Sequence, residues 1–363
     1  MNFDFSDEQY MFQASVRELL SKELGFEQLR CGVPKTLWAN LAEIGVFAIL
    51  PAEEEGGLGL GFTDLALICE EFGRALVPPA VTASILGGAM ISRLGTVDQR
   101  KILPRLVEGS ARIALGVVDP LFGSGVTAEP SGEGWKLTGR KILVPDAVDA
   151  DQMLVTATYD GQNCLFLVDL PQEGITLTKE SALDITSMSH SVNFDSAVSL
   201  VLGDVPANAA FEFFNDAGAV ISALQMTGIA VRMLDEVIDY VGQRVQFDRV
   251  IGSFQAVKHR CADLAVDIEA CRSASYFAAW ALDEGELSER RNATSMAKAW
   301  CGDKSAHVCN ESIQLHGGTG FTWDLGLHFF LRRAKTEQSL WGNATWHRER
   351  IMKEAVHRMK VAK

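Results

Sequence analysis

The sequence has no excess of positive charge, no paired cysteines and no long apolar run, and each absence removes a class of function. Lys and Arg number 33 against 47 Asp and Glu, a formal charge of −14. Nucleic-acid binding draws on Lys and Arg neutralising phosphates, so a broadly phosphate-binding surface is excluded and no nucleic-acid partner is expected. A local anion site built from one Arg and backbone N–H groups is not excluded. Seven cysteines (Cys31, Cys69, Cys164, Cys261, Cys271, Cys301 and Cys309) are scattered, odd in number and without a CxxC pair. This suits a reducing cytoplasm better than a disulfide framework, and a cytoplasmic location is expected. Cys301, His307 and Cys309 fall on one predicted helix at spacings that do not converge as ligands do, so no metal is expected. No uninterrupted apolar run reaches the ~18 residues of a membrane span. The acidic, polar start MNFDFSDEQYMFQ reads as neither signal nor transit peptide, so no membrane partner is expected either. There is no internal repeat and no low-complexity tract.

What is present is the composition of a well-packed globular protein, with 47% hydrophobic and 22% charged residues in a chain of 363. The periodicities divide it into residues 1–111, helical; 112–205, β; and 206–363, helical again. In the first part Ser6-Asp7-Glu8-Gln9 is a capping box. Amphipathic segments follow over Leu37–Phe47, Thr63–Ala75 and Ala80–Leu94, with a glycine-rich loop at Glu53–Gly59. The middle part carries short apolar or alternating runs, and Asp160-Gly161 between two of them is a hairpin-turn signal. A β-barrel or sandwich is expected there. In the last part Val220, Leu224, Val231, Leu234, Ile238 and Val241 form one stripe, and Val257, Cys261, Leu264, Ile268 and Cys271 another. Two long helices cannot bury such stripes alone, so a four-helix bundle is expected.

Two patches carry chemistry. Arg244-Val245-Gln246-Phe247-Asp248-Arg249-Val250-Ile251-Gly252-Ser253-Phe254-Gln255 joins the two long helices, and Gln314-Leu315-His316-Gly317-Gly318-Thr319-Gly320-Phe321 closes another. The second offers glycines that let backbone N–H groups approach a phosphate, beside a Gln able to bond an adenine or ribose. The first offers a guanidinium for the same anion and a Phe to stack on a base. Alone, a helix C-cap at Gly317-Gly318 and a loop salt bridge at Arg244 would be the simpler readings.

Together, in this order and inside a helix–β–helix chain, the patches resemble those of the acyl-CoA dehydrogenase family over essentially the whole length. The resemblance implies an α+β, mostly α fold, with an N-terminal helical domain, a middle β-barrel or sandwich and a C-terminal four-helix bundle. It implies FAD as cofactor, an acyl-CoA substrate oxidised to the 2,3-enoyl-CoA, and an electron-transferring flavoprotein as acceptor. Family dimers share each FAD: one subunit holds the flavin ring and its neighbour supplies the ADP clamp. Arg244, Phe247, Gln255, Gln314, Gly317 and Gly318 match the clamp positions. Asp248 stands where glycine is usual, and Gln246 where a Thr or another polar residue is common.

The ring half departs from the pattern. The family's Thr-Glu-Pro-x-x-Gly-Ser-Asp reads Val118-Asp119-Pro120-Leu121-Phe122-Gly123-Ser124-Gly125 here, so the ring-bonding Thr is Val118. The aromatic-Ile-Thr/Ser that follows Gly-x-Lys reads Leu143-Val144-Pro145, which removes the stacking aromatic and the hydroxyl. The catalytic Glu of Tyr-Glu-Gly-Thr is replaced by Gly342 in Trp341-Gly342-Asn343-Ala344-Thr345. In the isovaleryl-type branch the Glu sits on the helix before the Arg patch, and an ungapped count lands on Gly218. Asp216 is nearby, but two residues along a helix is ~200° of rotation. It is expected to point away, as an N-terminal helix carboxylate facing the dipole, and no other catalytic candidate presents itself. His347 and Arg348 face either the substrate mouth or solvent.

Because the neighbour's half of the site is kept and the chain's own half is eroded, the expected function is one subunit of a hetero-oligomeric acyl-CoA dehydrogenase. A homologous partner would supply ring contacts and the base. The resemblance is to paired dehydrogenases of steroid side-chain CoA thioesters, with two copies of each of two homologous subunits. The alternatives are a self-sufficient homo-oligomer using an atypical base such as Asp216, and a catalytically silent scaffold.

Overall fold

The computed structural model describes residues 5–31, 34–123, 125–132 and 134–361. Helices α1 (Asp7–Glu23), α2 (Phe26–Cys31), α3 (Thr36–Glu43), α4 (Phe62–Ala75), α5 (Pro79–Leu94) and α6 (Leu103–Val107) come first. Strands β1 (Ile113–Gly116), β2 (Thr127–Ser131), β3 (Gly134–Pro145), β4 (Gln152–Tyr159), β5 (Gln162–Asp169), β6 (Ile175–Glu180) and β7 (Ser189–Val201) follow. Then come α7 (Asn208–Gln243), the short pair β8 (Val245–Gln246) and β9 (Arg249–Val250), α8 (Gln255–Asp283), α9 (Leu287–His316), α10 (Leu327–Ser339) and α11 (Ala344–Val361). This is the helical, β, helical order that the periodicities predict.

By internal packing the chain forms two units. One comprises Lys35–Gly61 and Pro78–Asn215, the other Met1–Pro34, Phe62–Val77 and Asp216–Lys363. In the first of these, the sheet order β1-β4-β2-β3-β7-β5 closes on itself because β5 also pairs with β4. Closure makes it a barrel rather than a sandwich and removes free edges from the ring. The barrel is filled by alternating inward residues, among them Leu137, Val144, Val155, Phe166, Val192 and Phe194. Asp160-Gly161 forms the two-residue turn between β4 and β5, with φ of 47° and 72°, the all-positive geometry that matches strand twist. Ser84 on α5 exchanges hydrogen bonds of 3.0 Å with both backbone groups of Ile113, seating the start of β1. The helix expected over Leu37–Phe47 stops at Glu43, because Gly45 turns into the left-handed region at φ 87°.

In the other unit the expected capping box opens α1. Gln9 N–H donates to Ser6 Oγ at 3.2 Å, and Ser6 N–H donates to Gln9 Oε1 at 2.7 Å. α7, α8, α9 and α10 share one core that includes Ile229, Met233, Leu264, Ile268, Val308, Phe329 and Phe330. α7 contains an 18-residue window of mean hydropathy 1.4, long and apolar enough to cross a membrane, and 89% of that window is buried inside the protein. It is therefore the central core helix. Two glycines let α4 cross it at backbone contact: a Cβ on Gly73 would stand 1.9 Å from the Gln225 carbonyl oxygen, and one on Gly228 1.8 Å from that of Glu70. One member of the expected α7 stripe does not join the core, since Ile238 is 50% exposed.

Candidate cofactor and active site

The two motif patches, 70 residues apart from Arg244 to Gln314, meet in space. Tyr240 lies one turn before the end of α7 and His316 ends α9, and their rings stack at 4.5 Å with a 27° interplanar angle. Arg244 N–H donates to the Tyr240 carbonyl at 2.9 Å, so the stack places the Arg patch beside the glycine turn. His316 Nδ1 lies 2.8 Å from the Ser312 carbonyl, which can only accept, so Nδ1 carries the proton. Sequence reasoning singles out neither ring, because a stacked pair leaves no local spacing signature.

The β8–β9 hairpin presents Phe247 and Asp248 as its two turn residues, at φ 55° and 63°. Both positions favour glycine, so the Asp248 departure places a strained residue in the turn. Holding a bulky Phe there costs on the order of 1–3 kcal/mol. Phe247 is 85% exposed, supported from one side by an edge contact with Phe254. Arg249 stacks over Phe254, with its guanidinium carbon 3.9 Å from the ring centroid. Arg244 is exposed, and among the described residues its guanidinium has no partner. Gln255 opens α8 and Gln314 lies in the last turn of α9, both exposed. Gly317 has φ 63°, and a Cβ on Gly317 or Gly318 would meet no atom within 4 Å. An unpartnered guanidinium, two amides, an exposed aromatic and bare glycine backbone form a donor set that fits a nucleotide diphosphate.

The ring-contact positions lie on the barrel and do not fit an isoalloxazine in the same way. Val118 is bridged to Ile142, whose N–H donates to the Val118 carbonyl at 2.9 Å. Leu143 is 37% exposed at φ 54° and turns its N–H to Glu180 Oε2 at 3.4 Å. Pro145 has no N–H to offer. Ser124 lies outside the described residues. Nearby, Lys141 is buried and bonded to Asp119 Oδ1 at 2.6 Å and Thr156 Oγ1 at 2.8 Å. Burial pushes its ammonium below the ordinary lysine value, against the pull of Asp119.

Both base positions lack a carboxylate and the room for one. A Cβ on Gly218 would stand 2.4–2.6 Å from Cδ2, Cε2 and Cε3 of Trp341. One on Gly342 would stand 2.7 Å from Trp346 Cε3, at φ 93°. Asp216 does not face the start of α7 as expected. It lies two turns in and is fully buried, with Oδ2 receiving Arg290 Nε at 3.0 Å and Oδ1 receiving Arg350 Nη1 at 2.5 Å. It ties α7 to α9 and α11, and taking up a proton would break a charge-assisted bond. His347 is also buried, neither at a substrate mouth nor in solvent. Its Nε2 lies 3.0 Å from the Trp341 carbonyl and its Nδ1 3.1 Å from Ser295 Oγ. Burial, then the nearby Lys298 charge, lowers its pKa to about 3. Lys298 donates to the carbonyls of Glu337 at 2.8 Å, Gln338 at 3.3 Å and Gly342 at 3.1 Å. Desolvation lowers its pKa to about 8, opposed by the Glu337 charge. Cys301 and Cys309 are buried while His307 is exposed.

Residues 6–110 match the family model described as acyl-CoA dehydrogenase, N-terminal domain, and residues 209–356 the one described as acyl-CoA dehydrogenase, C-terminal domain. The chain is 29% identical to the probable acyl-CoA dehydrogenase YngJ of Bacillus subtilis, over 92% of this chain and 94% of that one. It is 30% identical to the acyl-CoA dehydrogenase IpdE2 of Mycobacterium tuberculosis, over 90% and 91%. Among solved structures, a chain of the Tcur3481-Tcur3483 steroid acyl-CoA dehydrogenase superposes with a TM-score of 0.91 at 29% identity, covering 98% of this chain and 99% of that one.

Proposed function

The chain belongs to the acyl-CoA dehydrogenase family, an FAD-dependent oxidoreductase by that membership, and from that premise we propose that it is the clamp subunit of a hetero-oligomeric acyl-CoA dehydrogenase. In this reading its own residues hold the ADP half of an FAD whose ring lies in a homologous partner. Arg244 and the Gly318 N–H bind the pyrophosphate at the glycine turn, Gln255 and Gln314 bond the nucleoside, and Phe247 packs against its base. When bound, FAD supplies the hydride acceptor for dehydrogenation between the α and β carbons. The partner supplies the ring contacts and the carboxylate that removes the α-proton. Electrons leave to an electron-transferring flavoprotein, in the cytoplasm.

The observation that carries this reading is one-sidedness. The Arg244 guanidinium is exposed and without a partner among the described residues beside a glycine turn bare of side chains, while each family base position is a glycine facing an aromatic wall. Asp216 is a poor alternative base because two guanidinium groups already engage it, which disfavours the self-sufficient reading. A steroid side-chain CoA thioester is the proposed substrate class, drawn from likeness to the steroid dehydrogenase whose name pairs two proteins. Expression alone and with a co-encoded homologue tests the proposal through flavin absorbance, mass and turnover. A colourless lone chain that becomes yellow and active only with the homologue supports it. Yellow, active enzyme from this chain alone refutes it.

A further inference from the structure

We propose that the cleft where α1, α2, α4 and α7 meet is a second ligand site, which takes a small monocarboxylate with a branched apolar body. The proposal goes beyond the clamp-subunit reading and does not depend on it. The cleft has a volume of about 440 Å³ and lies inside one of the two packing units. Arg17, Arg74 and Arg232 line it, above a floor that includes Leu24, Phe26 and Phe330. On α7, Arg232 precedes Arg244 by about three turns, ~18 Å along the axis, so the site is separate from the nucleotide clamp.

Each of the three guanidinium groups is fixed by a carboxylate. Arg17 engages Glu71 through Nη2 and through Nε, the latter at 2.9 Å. Arg74 Nη1 donates to Asp235 Oδ2 at 2.5 Å, and Arg232 Nε to Glu236 Oε1 at 2.7 Å. Asp235 and Glu236 stand outside the lining. Glu71 belongs to it, but its side chain is only 2% exposed and already accepts from Arg17 and Gln13. The cleft therefore presents three cations against one engaged carboxylate, in a chain whose formal charge is −14. Among the described residues, Arg17 Nη1, Arg74 Nε and Nη2, and Arg232 Nη1 have no protein acceptor. A guanidinium cannot shed its proton, and side chains already held in place lose little freedom when an anion joins them. The apolar floor is equally fixed. Leu24 and Phe330 are buried, and Phe26 meets Phe330 edge-on at 6.2 Å with Arg232 5.7 Å above its ring centroid. Gly326 makes room for Phe26, since a Cβ there would stand 2.6 Å from Cδ1 of the ring. A carboxylate answers the free donors and a branched alkyl group covers the floor, whereas inorganic phosphate would leave the apolar surface bare.

The test titrates the full chain with 4-methylpentanoate, reading binding by saturation-transfer NMR and by the thermal midpoint. Saturable binding with a Kd of about 1 mM or tighter is expected, together with a higher midpoint. 4-Methylpentan-1-ol lacks the charge, and acetate and inorganic phosphate lack the apolar body, so each should bind at least about tenfold more weakly. Arg232→Gln and Phe26→Ala should each weaken the carboxylate about tenfold or more, and Arg244→Ala should leave it unchanged. Arg232 is partly exposed, so its variant keeps the comparison readable should Phe26→Ala fail to fold. Absence of saturable binding overturns the site, as does full affinity in Arg232→Gln. Equal binding by the alcohol or by phosphate overturns the ligand class. Loss of binding in Arg244→Ala would put the probe on the nucleotide clamp and overturn the second site, whatever becomes of the clamp-subunit reading.

Discussion

Replacing His347 by Gln should remove a large acid sensitivity from the protein. The Trp341 carbonyl can only accept, so Nε2 of His347 carries the proton and Nδ1 accepts from the Ser295 hydroxyl. Protonation would place a third positive charge on a fully buried ring beside Lys298 and Arg350, and the folded-state pKa falls to about 3 from the ordinary 6.5. Between those values the unfolded chain binds the proton and the folded chain does not. The stability tied to the neutral ring is therefore complete above pH 6.5 and is lost as the pH falls towards 3. From pH 7 to pH 4.5 the loss amounts to about 2.5 kcal/mol for this one group. A glutamine side chain can keep the donor to the Trp341 carbonyl and an acceptor for Ser295 without titrating. Urea unfolding at the two pH values measures the effect. The His347→Gln variant should begin less stable at pH 7 and close the gap by about 2.5 kcal/mol at pH 4.5. Parallel losses in both proteins would show that His347 is not held neutral by burial, and the reasoning about this ring would fail.

Three further outcomes follow from the same geometry. Arg244→Ala should weaken FAD retention in the assembled enzyme roughly 10- to 150-fold by fluorescence titration, with no change in thermal midpoint, because it removes an exposed charge-assisted contact worth about 1.5–3 kcal/mol; unchanged affinity refutes the clamp. Asp216→Asn should cost about 3–5 kcal/mol of stability by leaving Arg290 and Arg350 without their buried counter-charge. Turnover per folded complex should stay near normal, and a loss beyond ~100-fold would instead make Asp216 the base. Asp248→Gly should raise the unfolding free energy by about 0.5–1 kcal/mol, since its φ of 63° suits glycine, and should tighten FAD by removing a carboxylate near the pyrophosphate. A lower thermal midpoint would show that Asp248 has a structural partner in the assembly.

The features legible in the sequence are those whose physics is local. Ser6 and Gln9 cap α1 across three residues, and Asp160-Gly161 turns β4 into β5 because two adjacent residues accept positive φ. The residues proposed for the clamp stand out for a related reason: the glycines and the Arg each sit at a helix end, where a motif compresses into a few positions. Asp216 misleads because the partners that define it lie 74 and 134 residues downstream, at Arg290 and Arg350. An isolated carboxylate near a helix start suggests the dipole, whereas a buried one is decided by whichever cations the tertiary fold delivers. His347 misleads in the same way, its environment being set by Ser295 and Lys298 on another helix. Trp341 is the sharper case. Reading Gly218 and Gly342 as two missing carboxylates misses what fills the space: the Trp341 ring stands over Gly218 and the Trp346 ring over Gly342. A large aromatic beside each makes a small residue necessary there, so a Glu at 218 would require Trp341 to move and one at 342 would require Trp346 to move. At each position the missing base and the neighbouring indole are one packing solution, which a residue-by-residue comparison with a motif cannot register.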